Sequence, residues 1–189
     1  MNTPRTLTGV ILAGGASRRM GGQDKGLVLF QERPLVAWVI DALAPQVDEI
    51  LIVANRNLET YRAFGHHVVS DLRPDFPGPL AGFEAALTHA RHEWILTCPT
   101  DAPHLPTNYA RLMEARTRNT AAVGFADAHW QPVFSLLPRT ALASLTASLD
   151  AGEHKVQRWL ATLNPERVNL DSVATLLRDA DTPEDLAGL

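Results

Sequence analysis

The chain has 189 residues, 46% hydrophobic and 20% charged, an ordinary globular composition. A formal net charge of −4 speaks against a large nucleic-acid footprint, and the single cysteine, Cys98, excludes an intramolecular disulfide and a zinc ribbon. The apolar stretch in MNTPRTLTGVILAGG is too short for a membrane span and lacks a signal-peptide layout, so the expectation is a cytoplasmic protein with neither membrane nor nucleic acid as partner.

Leu7 to Ala13 (LTGVILA) is an unbroken apolar run stopped by Gly14, which predicts a buried parallel strand. In PLVAWVIDALAP, Pro34 is expected to open a helix that stops before Pro45, with Leu35, Val39 and Leu43 on one face. Residues 49–55 (EILIVAN) predict a second strand, 58–65 (LETYRAFG) a short helix ended by Gly65, and 67–71 (HVVSD) a third strand. LRPDFPGPLAG reads as an ordered Pro- and Gly-rich loop, PLAGFEAALTHAR as a helix, and WILTCPTD as a fourth strand ending at Asp101. The alternation predicts an α/β fold, a Rossmann-like open, mostly parallel sheet with helices on both faces. After Thr120 the pattern loosens into AAVGFA, WQPVFSLLP, a helix from Thr140 and a terminal DTPEDLAGL. No linker separates this part, so one domain over residues 1–189 is expected.

Ligands of such sheets bind beyond the carboxyl ends of the strands, where the Gly14 loop, Asn55, Asp71 and Asp101 all stand. GVILAGGASRRMGGQDKG, residues 9–26, concentrates glycines and cations directly after the first strand. Glycines let backbone N–H groups approach an anion closely, and arginine and lysine neutralise a phosphate chain; the other reading is a surface turn with solvated arginines. It is not a Walker A loop, because Lys25 is followed by Gly26 rather than by serine or threonine.

LAGGASRRMGGQDKG resembles the signature loop of the nucleotidyltransferases that activate sugars and cofactors. Together with VANR, DFPGPLAG, CPTDAP followed by Pro106, and TPEDL, in that order along most of the chain, it resembles the molybdenum cofactor guanylyltransferases. The resemblance implies transfer of GMP from GTP to the phosphate of molybdopterin, with or without bound molybdenum, and release of pyrophosphate, with Mg2+ as cofactor. It implies GTP and molybdopterin as small-molecule partners, and cofactor-insertion proteins or apo-molybdoenzymes as protein partners. It makes Leu12, Ala13, Gly14, Gly15, Lys25, Asn55, Asp71, Gly78, Leu80, Gly82 and Asp101 nucleotide-binding, and Lys25, Arg19 and Asp101 catalytic. Residues 1–119 would then form the nucleotide-binding half, and residues 120–189 the pterin-side half with a C-terminal helix. A cytidylyl- or sugar-phosphate nucleotidyltransferase, or a non-catalytic nucleotide-binding cofactor-insertion protein, would use the same residues.

Beside the resemblance, each position has an alternative reading. A carboxylate at Asp101 is either a helix cap or a magnesium ligand, the latter because magnesium takes one or two carboxylates plus substrate phosphates. Cys98 reads as a small core residue. A guanine pocket must supply acceptors for the N1 and N2 donors, which Asp71 and backbone carbonyls of DFPGPLAG would do, with Gly78 and Gly82 allowing close approach. Val53 stands where the family commonly has asparagine, so the contact of that amide is replaced here. DTPEDL reads as a capped helix start, with Asp179 and Asp181 where the family has asparagines and either of them reaching the metal as a second carboxylate. Lys155 and Arg158, one helical step apart, would bind the pterin phosphate or form a solvated helix face, and Trp130 would stack on a ring or pack in the core.

Overall fold

The computed structural model describes residues 5–13, 24–73, 78–115, 117 and 119–177. Among these, β1 (Leu7–Leu12) precedes a hairpin of β2 (Leu29–Phe30) and β3 (Arg33–Pro34), then α1 (Leu35–Leu43), β4 (Glu49–Val53), α2 (Leu58–Arg62), β5 (His67–Val69), α3 (Pro79–His89) and β6 (Trp94–Pro99). Next come α4 (Tyr109–Glu114), β7 (Ala122–Ala126), β8 (His129–Pro138), α5 (Leu142–Asp150), α6 (Val156–Thr162) and β9 (Glu166–Asn169).

Seven strands form one sheet in the order β5-β4-β1-β6-β8-β7-β9. β5, β4, β1 and β6 pair in parallel, so their carboxyl ends share one rim; β8 runs antiparallel to both β6 and β7, and β9 lies parallel to β7. The expected mostly parallel sheet is therefore present, with β8 as its reversed strand.

Both faces of the sheet are covered, which is why the central strands read as continuous apolar runs rather than as alternations. On one face Leu7 and Ile11 of β1, Ile50 and Ile52 of β4, and Leu96 and Cys98 of β6 pack against Val36, Val39, Ile40 and Leu43 of α1, Tyr61 of α2, and Tyr109 and Met113 of α4. On the other, Val10, Leu51, Val53 and Ile95 meet Leu80, Phe83 and Leu87 of α3, Leu145 and Leu149 of α5, and Trp159 and Leu160 of α6. The buried Thr97 hydroxyl donates to the Val133 carbonyl at 2.7 Å and accepts from Ser135 N–H at 3.1 Å, which ties β6 to β8 and satisfies this hydroxyl.

Several boundaries differ from the sequence expectation. Pro34 ends β3 and caps α1 instead of opening the helix, and the strands expected to run to Asn55, Asp71 and Asp101 end at Val53, Val69 and Pro99, leaving those three polar residues just beyond the sheet. The helix expected from Thr140 starts as a 3-10 turn, Arg139–Ala141, before α5. The β2–β3 hairpin, α4 and β9 were not expected from the sequence.

Tyr109 is fully buried, and its hydroxyl donates to the Thr97 carbonyl at 2.7 Å, pinning α4 to β6 just below Asp101. Tyr109→Phe should lower unfolding free energy by about 0.5–1.5 kcal/mol, the net worth of one such bond. Urea titration followed by far-UV circular dichroism measures it; an unchanged midpoint would remove this bond from the fold's stability.

Candidate functional site

Lys25 opens a 3-10 turn, Lys25–Leu27, and its Nζ donates to Asp101 Oδ2 at 3.2 Å, joining the connection after β1 to the end of β6. The two side chains are 23% and 10% exposed, so the pair faces solvent from a largely covered position. Asp101 precedes α4, whose cap position is Asn108, so the carboxylate is not a helix cap.

The turn that carries Lys25 is held from two sides. The Asp24 carboxylate accepts from the Tyr61 hydroxyl at 2.6 Å and from Asn57 Nδ2 at 3.0 Å. Tyr61 is fully buried; burial, and then the Asp24 carboxylate it donates to, push its phenol well above the usual range, so it stays a donor. A Cβ on Gly26 would lie 2.5 Å from the Tyr61 hydroxyl and 2.9 Å from Thr100 Cβ, so only glycine lets the turn lie against the end of β6. Gly26, Tyr61 and Asp24 were not singled out from the sequence. The glycine following Lys25 was the available signal.

Two strands away, Asn55 and Asp71 form a reciprocal pair: Asn55 Nδ2 donates to Asp71 Oδ2 at 2.7 Å, and Asp71 N–H donates to Asn55 Oδ1 at 2.9 Å. Asp71 Oδ1 is buried and has no hydrogen-bond partner among the described residues. Burial pushes the Asp71 carboxyl up, the Asn55 bond draws it down, and the charge of Glu84 raises it again. A Cβ on Gly82 would find Leu12 Cδ2 at 3.4 Å, and Asp71 Oδ1 and Val53 Cγ1 at 3.8 Å. Packing alone therefore tolerates a methyl there. Leu12, Val53 and Asp71 Oδ1 thus meet beside Gly82, which sets two apolar side chains and a buried acceptor close together.

Leu80 is fully buried among α3 core residues, so only its backbone is available to a ligand. Gly78, at the amino end of α3, has φ 90° and ψ −163°, a conformation that excludes a side chain. Ala13 N–H donates to the Val53 carbonyl at 2.8 Å, extending the β1–β4 pairing toward the glycine loop.

Lys155 caps α6 with extended backbone rather than lying within it, which corrects the helical step drawn to Arg158. Arg158 pairs with Glu153 at 3.7 Å and is 68% exposed. The His154 carbonyl lies 3.9 Å from where a Gly78 Cβ would be, so this basic segment borders the same rim. Trp130 is half-buried against the α3–α6 face, with the Arg167 guanidinium 5.5 Å from its ring centre. Gly14, Gly15, Arg19, Asp179 and Asp181 lie outside the described residues.

Among the described residues no group of three or more His, Cys, Asp or Glu side chains could hold a metal, and Asp101 brings one carboxylate to the rim. That fits magnesium arriving with a nucleotide, which needs one protein carboxylate plus phosphates, and does not fit an all-protein cage. Cys98 is fully buried and burial pushes its thiol far up, so it is packing and not a nucleophile. A surface groove lined by Asp48, Glu49, His66, His67 and Arg91 lies at the amino ends of β4 and β5, opposite the rim. No helix among the described residues is long and apolar enough to cross a membrane.

Gly26→Ala should displace the turn and draw Lys25 away from Asp101. Affinity for nucleoside triphosphate is expected to fall about 10–100-fold, the scale of a roughly 1 Å misplacement, with a loss of about 1–3 kcal/mol of stability. Calorimetric titration and urea denaturation read the two effects; unchanged affinity would show that the turn does not set the position of Lys25.

The sequence matches the MobA-like NTP transferase domain over residues 9–168. The molybdenum cofactor guanylyltransferase of Polynucleobacter asymbioticus is 42% identical over 98% of this chain and 96% of its own length, and that of Vibrio campbellii 41% identical over 99% and 96%. The fold superposes on the molybdopterin-guanine dinucleotide biosynthesis protein A of Archaeoglobus fulgidus with a TM-score of 0.77 at 20% identity, covering 96% of this chain and 95% of that one. It also superposes on the 2-C-methyl-D-erythritol 4-phosphate cytidylyltransferase of Thermus thermophilus with a TM-score of 0.69 at 15% identity, covering 94% of each. With a family match over residues 9–168 and relatives of 41–42% identity along nearly their whole length, the chain belongs to the MobA-like NTP transferase family, among the molybdenum cofactor guanylyltransferases.

Proposed function

We propose that this protein transfers the guanylyl group of GTP to the phosphate of molybdopterin. The observation that carries the reading is the spacing of two unlike subsites on one rim. Asp71 follows β5 and Asp101 follows β6, with β4 and β1 between them. Three interstrand steps of about 4.8 Å separate their strands by about 14 Å, the reach of an extended nucleoside triphosphate. The base would lie in the recess of Leu12, Val53, Asp71 and Gly82, and the phosphates beside Lys25.

In this reading an oxygen of the molybdopterin phosphate attacks the α-phosphorus of GTP. A phosphorus–oxygen bond forms, the bond from the α-phosphorus to the α,β-bridging oxygen breaks, and pyrophosphate leaves with that electron pair. The nucleophile is already anionic at neutral pH, so no general base is required, in keeping with the inert Cys98. Lys25 Nζ offsets the charge gathering on the phosphates, and Asp71 Oδ1 accepts from the N–H edge of guanine. The rigid turn around Gly26 supplies orientation. Asp101 would hold magnesium, which acts as a Lewis acid on phosphate oxygens. Gly14, Gly15 and Arg19 are assigned to the triphosphate by the family resemblance, and Lys155 and Arg158 to the pterin phosphate; Asp179 or Asp181, where the family has asparagines, would reach the metal or substrate as a second carboxylate.

Pyrophosphate release measured with molybdopterin, magnesium and each of GTP, ATP, CTP and UTP tests the reading. Release is expected with GTP, and Asp71→Asn should raise the KM for GTP about 10–100-fold, the worth of a hydrogen bond to a charged acceptor. Asp71 is the stronger, acceptor-only partner when ionised, and its carboxyl is shifted up, so that KM should climb on acidification at a pH above the ordinary aspartate value of about 3.9. Release with CTP in place of GTP would assign a cytidylyl transfer, and no release with any nucleotide would leave a binding protein.

A further inference from the structure

The turn that carries Asp71 leaves the sheet at Val69, and its nearest anchor, Asn55, holds it from the β4 side alone. On its other side stands Arg73. Its Nε and Nη2 donate to the two oxygens of Glu84 at 2.8 and 2.9 Å, the two-pronged geometry that fixes both direction and distance, and its Nη1 donates to Asp150 at 2.9 Å. Glu84 lies on α3 two residues beyond Gly82, is 5% exposed, and takes a further bond from Thr146 Oγ1 of α5 at 3.2 Å. One arginine thus fastens the Asp71 turn to the helix that forms the opposite wall of the recess, and to the end of α5.

We propose that Arg73 is a positioning residue for base selection: its fork onto Glu84 sets the distance between Asp71 and Gly82, and so the fit of the recess to one base. Arg73 touches no substrate in this arrangement and acts through Asp71. This role rests on the proposed nucleotidyl transfer, but not on which base is chosen. Without Arg73 the Asp71 turn loses its hold on α3, and the buried Glu84 charge is left uncompensated beside Asp71.

The test is calorimetric binding of GTP, ATP, CTP and UTP, with magnesium, to the full chain and to Arg73→Ala. The wild type is expected to prefer one base. Arg73→Ala should lose about tenfold of that preference, with affinity for the disfavoured nucleotides within about threefold. Arg73→Lys, which keeps the charge but cannot make the fork, should fall between the two and guards against a misfolded alanine variant. A merely structural arginine would lower melting temperature and binding stoichiometry while leaving the preference intact, and that result overturns the proposal. A wild type preferring a base other than guanine defeats the guanylyl reading but leaves Arg73 to be judged by the same ratio. A wild type with no preference defeats both.

Discussion

Lys25 reaches Asp101 across 3.2 Å because the residue after it has no side chain. The Tyr61 hydroxyl and Thr100 occupy the space a Cβ would need, so the turn can lie flat against the end of β6 only as a glycine. Much of the site follows from that contact. It couples the connection after β1 to the neighbouring strand β6, and it keeps a lysine and a carboxylate paired at a place where phosphates and a cation would separate them. Opening the pair takes Lys25 away from a buried carboxylate, a cost that the new partners of opposite charge would offset.

The other end of the rim is built on a different principle. There a buried carboxylate oxygen has no partner among the described residues and lies near Leu12 and Val53, while its sister oxygen is locked by Asn55. A buried acceptor without a partner is a standing cost to the fold, and a ligand's N–H group removes it. The overall architecture cannot choose the base, since a cytidylyltransferase shares it with a TM-score of 0.69. In the proposed reading the choice falls to Asp71 and to whatever holds Asp71 in place.

The strands that form the rim were legible because burial on both faces makes them continuous apolar runs, as in LTGVILA and WILTCP, each closed by a polar or glycine residue that marks the site. The elements that escaped lack such signals. The two hairpin turns use Gln31–Glu32 and Asp127–Ala128, all four residues at positive φ, where Asn-Gly or Asp-Gly would have announced a turn. Hence neither β2–β3 nor the reversal that makes β8 antiparallel could be read. β9 exposes Glu166, Arg167 and Asn169 at the sheet edge, so ERVN carries no hydrophobic pattern. Lys25, Asn55, Asp71 and Asp101 were singled out by motif and strand-end position. Gly26, Tyr61, Arg73 and Glu84 were not, because their roles arise from contacts between segments distant in sequence.

The most direct test of the central claim, that Lys25 and Asp101 form a pair which phosphate and metal take apart, is calorimetric titration of GTP into the wild type and Asp101→Asn, with and without magnesium. The account predicts that magnesium tightens GTP binding to the wild type by about tenfold or more. Asp101→Asn, which releases Lys25 and removes a repelling charge, should bind metal-free GTP at least as tightly as the wild type and gain little from magnesium. An equal gain from magnesium in both proteins, or weaker metal-free binding by Asp101→Asn, would contradict it.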